Sequence, residues 1–87
     1  MQINGSYTAR RIMGELILVP TGESILEFNG LITMNALGEF IWGLLPEADS
    51  VDDIVSRVVE EYEVDERTAR ADVCEFLDEL RARGVLA

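Results

Sequence analysis

The sequence predicts an α+β fold in which three short N-terminal antiparallel β-strands are followed by three α-helices. Two observations lead to this prediction. Residues 1–35 are rich in Gly, Thr, Ile and Leu and are interrupted by turn signals, whereas the residues from position 36 onward have apolar side chains at helical spacing. A chain of 87 residues has room for one domain, so we expect residues 1–87 to form a single unit.

The first two strands are predicted at residues 7–13 and 15–19. Aliphatic and β-branched residues dominate the second of these runs. The connection at Gly14 is so short that the two strands should form a hairpin. We expect Pro20 to end the second strand, because proline has no N–H group to donate within a sheet.

The third strand is predicted at residues 31–34. Turn signals precede it at residues 21–24 and at residues 29–30, while residues 24–28 fit either a short strand or one helical turn. No Lys or Pro blunts the edge of this third strand. An open edge of this kind invites a partner strand from another chain.

The three helices are delimited by capping residues. Asn35, Ser50 and Asp65 are predicted N-caps, Pro46 ends the first helix, and Gly84 follows the last. The apolar stripes that we expect in the core are Ala36, Leu37, Phe40, Ile41, Leu44 and Leu45, then Val51, Ile54, Val55, Val58, Val59 and Tyr62, then Ala69, Val73, Phe76, Leu77 and Leu80. One sheet against three helices resembles a winged helix-turn-helix.

The charge balance disfavours several function classes. Seventeen acidic residues face seven Arg and no Lys, which gives a net charge of −10. A chain this acidic repels nucleic acids and anionic membrane surfaces at long range. The longest apolar run, residues 16–19, is also far too short to cross a bilayer, and no secretory signal is visible.

Residues that carry catalysis or bind metals are scarce. The chain has no His and a single cysteine, Cys74, so it can form neither a Cys–His nucleophile nor a Cys- or His-rich zinc site. It also lacks a Gly-rich phosphate loop. We therefore expect no enzyme activity, no cofactor and no metal. The absence of any internal disulfide fits a cytoplasmic location.

A binding surface is the remaining candidate for function. Beside its core stripe, the third helix carries a second stripe in which Ala71 and Cys74 are small and weakly polar, Leu77 bridges to the core stripe, and arginines flank them. The stripe consists of Arg67, Arg70, Ala71, Cys74, Leu77 and Asp78. Together with the third strand, this stripe would form a shallow groove. The simpler alternative is that the stripe is a partly exposed helix flank with no partner.

Two other functions remain open from the residues alone. The protein could be a winged-helix DNA-binding regulator that inserts its third helix into the major groove. Residues 65–83, however, have a net charge of −2, which opposes that insertion. Alternatively, the open strand edge could pair with a second copy, which would make the chain a homodimerising scaffold module.

Three segments resemble the PqqD-like family, named for the pyrroloquinoline quinone biosynthesis protein D. The run MNALGEFIWGLL at residues 34–45 resembles the family pattern LN-x-x-G-x-x-IW-x-LL. Residues 50–64 and 72–86 resemble the family's second and third helices, including the final Gly-Val-Leu. The resemblance extends from about Gly14 to Leu86.

This resemblance implies a recognition element for RiPPs, which are ribosomally synthesised and post-translationally modified peptides. Members bind the leader peptide of a precursor and present it to a maturation enzyme, often a radical SAM enzyme, in RiPP or quinone-cofactor biosynthesis. The leader adds as a strand to the third strand and packs on the third helix. By position, this implies peptide contacts at Leu31, Ile32, Thr33, Met34, Arg67, Arg70, Ala71, Cys74 and Leu77.

Overall fold

The computed structural model describes residues 1–21 and 32–86. Its elements are β1 (Ser6–Ile12), β2 (Glu15–Thr21), β3 (Ile32–Met34), α1 (Ala36–Leu44), α2 (Val51–Tyr62) and α3 (Glu66–Ala82). This order of three strands and three helices confirms the predicted fold class. The predicted start of the third strand at Leu31 and the turn signals at residues 22–30 lie outside the described residues.

The sheet is antiparallel, with the strands in the order β1-β2-β3. Met13 and Gly14 connect β1 to β2 with positive φ angles of 52° and 83°. Two consecutive positive φ angles are typical of the mirror-image turns whose twist matches that of a hairpin. The predicted hairpin is therefore confirmed, with Met13 in the turn rather than in the strand.

The second strand continues past the predicted end at residue 19. Pro20 pairs with Tyr7 of β1, and β2 ends at Thr21. Among the described residues, β3 pairs only with residues 16–18 of β2, so Pro20 has a single neighbouring strand. Proline is tolerated there because only one side of the strand has to supply ladder hydrogen bonds.

All three predicted N-caps are present. The side chain of Asn35 accepts a hydrogen bond from the backbone N–H of Gly38 at 2.8 Å. Ser50 accepts one from Asp53 in the same way at 3.2 Å. Asp65 caps α3 by accepting from the N–H of Thr68 at 3.1 Å. Each cap satisfies a donor that the first turn of a helix cannot pair internally, so these local residues define where the helices begin.

The core lies between one face of the sheet and the three helices. Leu16 and Leu18 of β2 and Ile32 and Met34 of β3 are buried, as alternation along a strand requires. The helices contribute Ile41, Leu45, Ile54, Val55, Val58, Ala69, Val73, Leu77 and Leu80, all buried. In the described part of the chain, no helix is long and apolar enough to span a membrane.

Candidate functional site

An open groove of about 660 Å³ separates β3 from α3. The strand contributes Ile32, Thr33 and Met34, and the first turn of α1 closes one end. From α3 the groove is lined by Asp72, Glu75, Phe76 and Glu79. The groove is thus bounded by a strand edge on one side and one flank of a helix on the other.

Among the described residues, no strand pairs with the groove side of β3. β3 lies at the edge of the sheet, and within residues 1–21 and 32–86 it is bonded only to β2. Ile32 and Met34 are 3 % and 5 % exposed and anchor the strand in the core, whereas Thr33 is exposed on the opposite face. The outer edge therefore offers backbone N–H and C=O groups on a rigidly held strand.

The apolar contribution of α3 to the groove is the ring of Phe76. This ring is partly buried and packs against the core from the groove side. Buried Gly38 of α1 faces it, and a Cβ at that position would lie 3.0 Å from Cε1 of Phe76 and 3.3 Å from Cβ of Met34. The absence of a side chain at Gly38 therefore lets α1 approach α3 where the ring is located.

The helix side of the groove is acidic. Asp72, Glu75 and Glu79 lie on the same flank of α3, and Asp72 and Glu75 have no salt-bridge partner among the described residues. Glu79 is 3.5 Å from the guanidinium of Arg83, which lies outside the groove lining. A cation in the groove would therefore meet carboxylates that nearby arginines leave largely uncompensated.

The opposite wall contains one cation and two more carboxylates. Arg11 of β1 donates to both carboxylate oxygens of Glu39 in α1, each at 2.8 Å. Both bonds come from the same Nη2 atom, so this is a charge-assisted hydrogen bond shared between the two carboxylate oxygens. Glu15 adds a further exposed carboxylate beside this pair. Arg11, the one cation among the described lining residues, is thus already engaged within the protein.

The site residues predicted from the sequence fall into two groups. Ile32, Thr33 and Met34 line the groove, whereas Leu31 lies outside the described residues. The predicted helix residues do not line it: Arg67, Arg70, Ala71, Cys74 and Leu77. Leu77 is fully buried in the core, and Cys74 is partly buried. A role for these five residues in peptide binding stays a prediction.

Arg70 is held on the side of α3 that faces α2. Its guanidinium is 2.8 Å from the carboxylate of Asp52 and 3.1 Å from that of Glu66. The hydrogen bonds that Arg70 donates to Asp52 and then to Glu66 raise the pKa of Arg70 above its usual value. The side chains of Arg70, Asp52 and Glu66 are well exposed, so the two ion pairs add little stability. They nevertheless occupy the guanidinium donors of Arg70, which were predicted to form a wall of the groove.

The predicted residues of α3 lie outside the groove lining for a geometric reason. At about 100° per residue, Phe76 and Cys74 lie on opposite borders of the buried stripe of α3. Periodicity identifies the stripe between them but treats its two flanks alike. Phe76 belongs to the predicted core stripe, and its ring both packs against the core and lines the groove. The sequence feature that pointed to the Phe76 flank was Gly38, a small residue within the apolar stripe of α1.

No metal centre is apparent in the described part of the chain. Within residues 1–21 and 32–86, no group of three or more His, Cys, Asp and Glu side chains is arranged to hold a metal ion.

Comparison with known proteins identifies the family. The family model of coenzyme PQQ synthesis protein D (PqqD) matches residues 15–86. The solved structure of TbiB1 in complex with the TbiA(beta) leader peptide is similar, with a TM-score of 0.77 and 28 % sequence identity over 99 % of this chain and 94 % of that chain. No curated protein matches. Since the match covers most of the sequence, this chain belongs to the PqqD family.

Proposed function

We propose that this chain binds the leader segment of a ribosomally synthesised precursor peptide and presents it to a modifying enzyme. The pathway is RiPP or quinone-cofactor biosynthesis, in which the modifying enzyme is often a radical SAM enzyme. The chain acts in the cytoplasm as a single binding module over residues 1–87. It holds the substrate while the partner enzyme carries out the chemistry.

The observation that carries this proposal is the groove between the open edge of β3 and the Phe76 flank of α3. A peptide in extended conformation would add a fourth strand to the sheet. Its main chain would bond to β3 and its alternate side chains would enter the groove. The similarity to TbiB1, a protein solved with a leader peptide, supports a leader peptide as the ligand here.

The peptide contacts follow from this mode. The backbone of residues 32–34 bonds to the leader, and Phe76 receives an apolar leader side chain. On the helix side we assign the contacts to the flank with Phe76, because it faces β3 across the groove. The flank with Cys74 lies outside the groove lining, and Arg70 there is bonded to Asp52.

The acidic lining supports a peptide over DNA as the ligand. Asp72, Glu75 and Glu79 lie beside the sheet edge, and the whole chain has a net charge of −10. Phosphate groups would be repelled by this surface, because DNA binding requires Lys and Arg at the phosphates.

A titration of the isotope-labelled chain tests the proposal. Leader peptides encoded beside its gene are added, and backbone amide shifts are followed by NMR. We expect binding at micromolar or lower concentration, with the largest shifts at residues 32–34 and around Phe76. If none of the leaders changes these amides, the proposed function is wrong.

Backbone methylation of the bound leader provides a control for the mode of binding. In an added strand, the N–H groups of alternate residues face β3 while the others face solvent. N-methylation of the leader residues whose N–H groups face β3 should abolish binding. N-methylation of the residues in between should leave binding nearly unchanged. Equal loss at both sets of positions would exclude strand addition.

A further inference from the structure

We infer that the leader segment bound in this groove is cationic, with Lys or Arg two residues to either side of an apolar residue that lies on Phe76. This inference rests on the proposed function and specifies the chemical class of the peptide. It follows from the charges that line the groove and from the direction in which strand side chains point.

The first argument is the charge of the groove. The described lining contains five carboxylates, Glu15, Glu39, Asp72, Glu75 and Glu79, and one cation, Arg11. Arg11 is already paired with Glu39 through two hydrogen bonds. An acidic leader would thus be repelled. Leader cations would instead be attracted to these carboxylates, and the attraction should weaken as salt is added because Asp72, Glu75 and Glu79 are exposed.

The second argument is the alternation of side chains along β3. Ile32 and Met34 point to the helix side of the sheet, and Thr33 points away. A strand added to β3 has the same alternation, so only every second leader residue faces α3. The leader cations that contact the groove must therefore lie at every second position, on the residues whose side chains face α3.

The spacing of the carboxylates along α3 specifies which of these leader positions should be basic. At about 1.5 Å of rise per residue, Asp72 lies about 6 Å before Phe76 along the helix axis, and Glu79 lies about 4.5 Å after it. Inward residues of a strand repeat about every 6.8 Å. For a leader strand that runs along the axis of α3, an apolar side chain on Phe76 places the next inward side chains near the carboxylates on either side. The expected pattern is basic-x-apolar-x-basic.

The same charges disfavour a second copy of this chain as the occupant. Another β3 edge would bring its own flanking carboxylates against Asp72 and Glu75, in a protein with a net charge of −10. Like charges that face each other across a sheet edge destabilise pairing. A basic peptide meets no such repulsion.

Selection from a display library of random linear peptides tests the inference on the intact chain. Bound peptides are sequenced, and those that shift the amides of residues 32–34 are taken as groove binders. We expect enrichment of Lys and Arg two residues from an apolar position, with Asp and Glu depleted. Groove binders without a basic excess would overturn the inference but leave the proposed function standing.

If no selected peptide shifts these amides, the inference fails, and the titration with the natural leaders decides separately whether the proposed function holds. The amide signals of residues 32–34 could also be lost because the chain self-associates, which sedimentation at several concentrations would detect. That result would overturn the inference in favour of homodimerisation. These outcomes separate the failure of the charge argument from the failure of peptide binding itself.

Paired charge substitutions locate the effect in the groove. The double variant Asp72→Asn/Glu75→Gln removes two groove carboxylates, and the control Glu60→Gln/Glu61→Gln removes two exposed ones from α2. For a selected basic peptide, we expect about a threefold to tenfold loss of affinity in the groove variant and less than about twofold in the control. Equal losses, or no loss in the groove variant, would overturn the inference.

Discussion

Gly38 of α1 lies so close to Phe76 of α3 that a Cβ atom at Gly38 would be 3.0 Å from Cε1 of the ring. Asn35 Oδ1 and Met34 Cβ would each be 3.3 Å away. This contact links the N-terminal turn of α1 to the only aromatic residue among the described residues of the groove lining. The shape of the groove thus depends on the absence of one side chain.

Substitution of Gly38 by Ala tests this dependence. Ala improves helix propensity by about 0.5–1 kcal/mol. The added methyl group, however, overpacks a site where insertion costs about 1–3 kcal/mol. We expect a net loss of about 1 kcal/mol in the free energy of unfolding, measured by urea denaturation.

Gly43 on the same helix is the matched control. It is exposed, and a Cβ there would meet no atom within 4 Å. Gly43→Ala should therefore stabilise the chain by about 0.5–1 kcal/mol. Equal stabilisation by both substitutions would mean that the approach of Gly38 to Phe76 is not tight.

Phe76 and Leu77 are adjacent but should have different roles. Leu77 is fully buried, so Leu77→Ala should cost about 3–4 kcal/mol of stability, while the molecules that remain folded still bind peptide. Phe76 is only partly buried, so Phe76→Ala should cost less, about 2 kcal/mol, and should weaken peptide binding at least tenfold.

Urea denaturation and calorimetric titration at a temperature where both variants are folded measure these effects. The assignment of Phe76 to the groove would be contradicted if Phe76→Ala kept full affinity for the peptide.

Glu75 and Cys74 are neighbours that distinguish the two flanks of α3. Glu75 lines the groove, whereas Cys74 does not. A bulky cation at position 75 would block the groove and repel a basic leader, so Glu75→Arg should abolish measurable binding. Cys74→Arg should leave binding nearly unchanged and the fold intact, because its long side chain can extend toward solvent. The reverse pattern in a titration would assign the peptide to the Cys74 flank.

Asp65 makes the N-cap of α3 sensitive to acid. Hydrogen bonds from the side chain and then the backbone N–H of Thr68 hold the pKa of Asp65 below its usual value of 3.8. A pKa lowered by folding means that the ionised carboxylate stabilises the native state above pH 3.8. This contribution is lost as the pH falls through the folded-state pKa.

Asp65→Asn isolates this charge because Asn still caps the helix. We expect the variant to be less stable than the parent at pH 7, with a difference that shrinks below pH 3.8. Ser50→Ala removes an uncharged cap, so its effect should not change with pH. Denaturation curves between pH 7 and pH 3 compare both variants with the parent. A constant difference for Asp65→Asn would show that charge is unimportant at this cap.

Much of the fold is encoded locally. Asn35, Ser50 and Asp65 define the helix starts because each supplies a side-chain acceptor to a free N–H group three residues later. Gly14 permits the hairpin because its φ angle is positive. Such preferences act within a few residues, so they can be read without knowledge of distant contacts.

The sequence alone thus determined the βββααα order, the capped helix starts, the edge position of the third strand and a charge that opposes nucleic acid. Tertiary structure decided which flank of α3 faces that strand. Phe76 and Cys74 border the same buried stripe, and only the docking of the sheet places Phe76 beside Met34 and Gly38. Helical periodicity records the distance of a residue from the core stripe but not the side on which another element will pack.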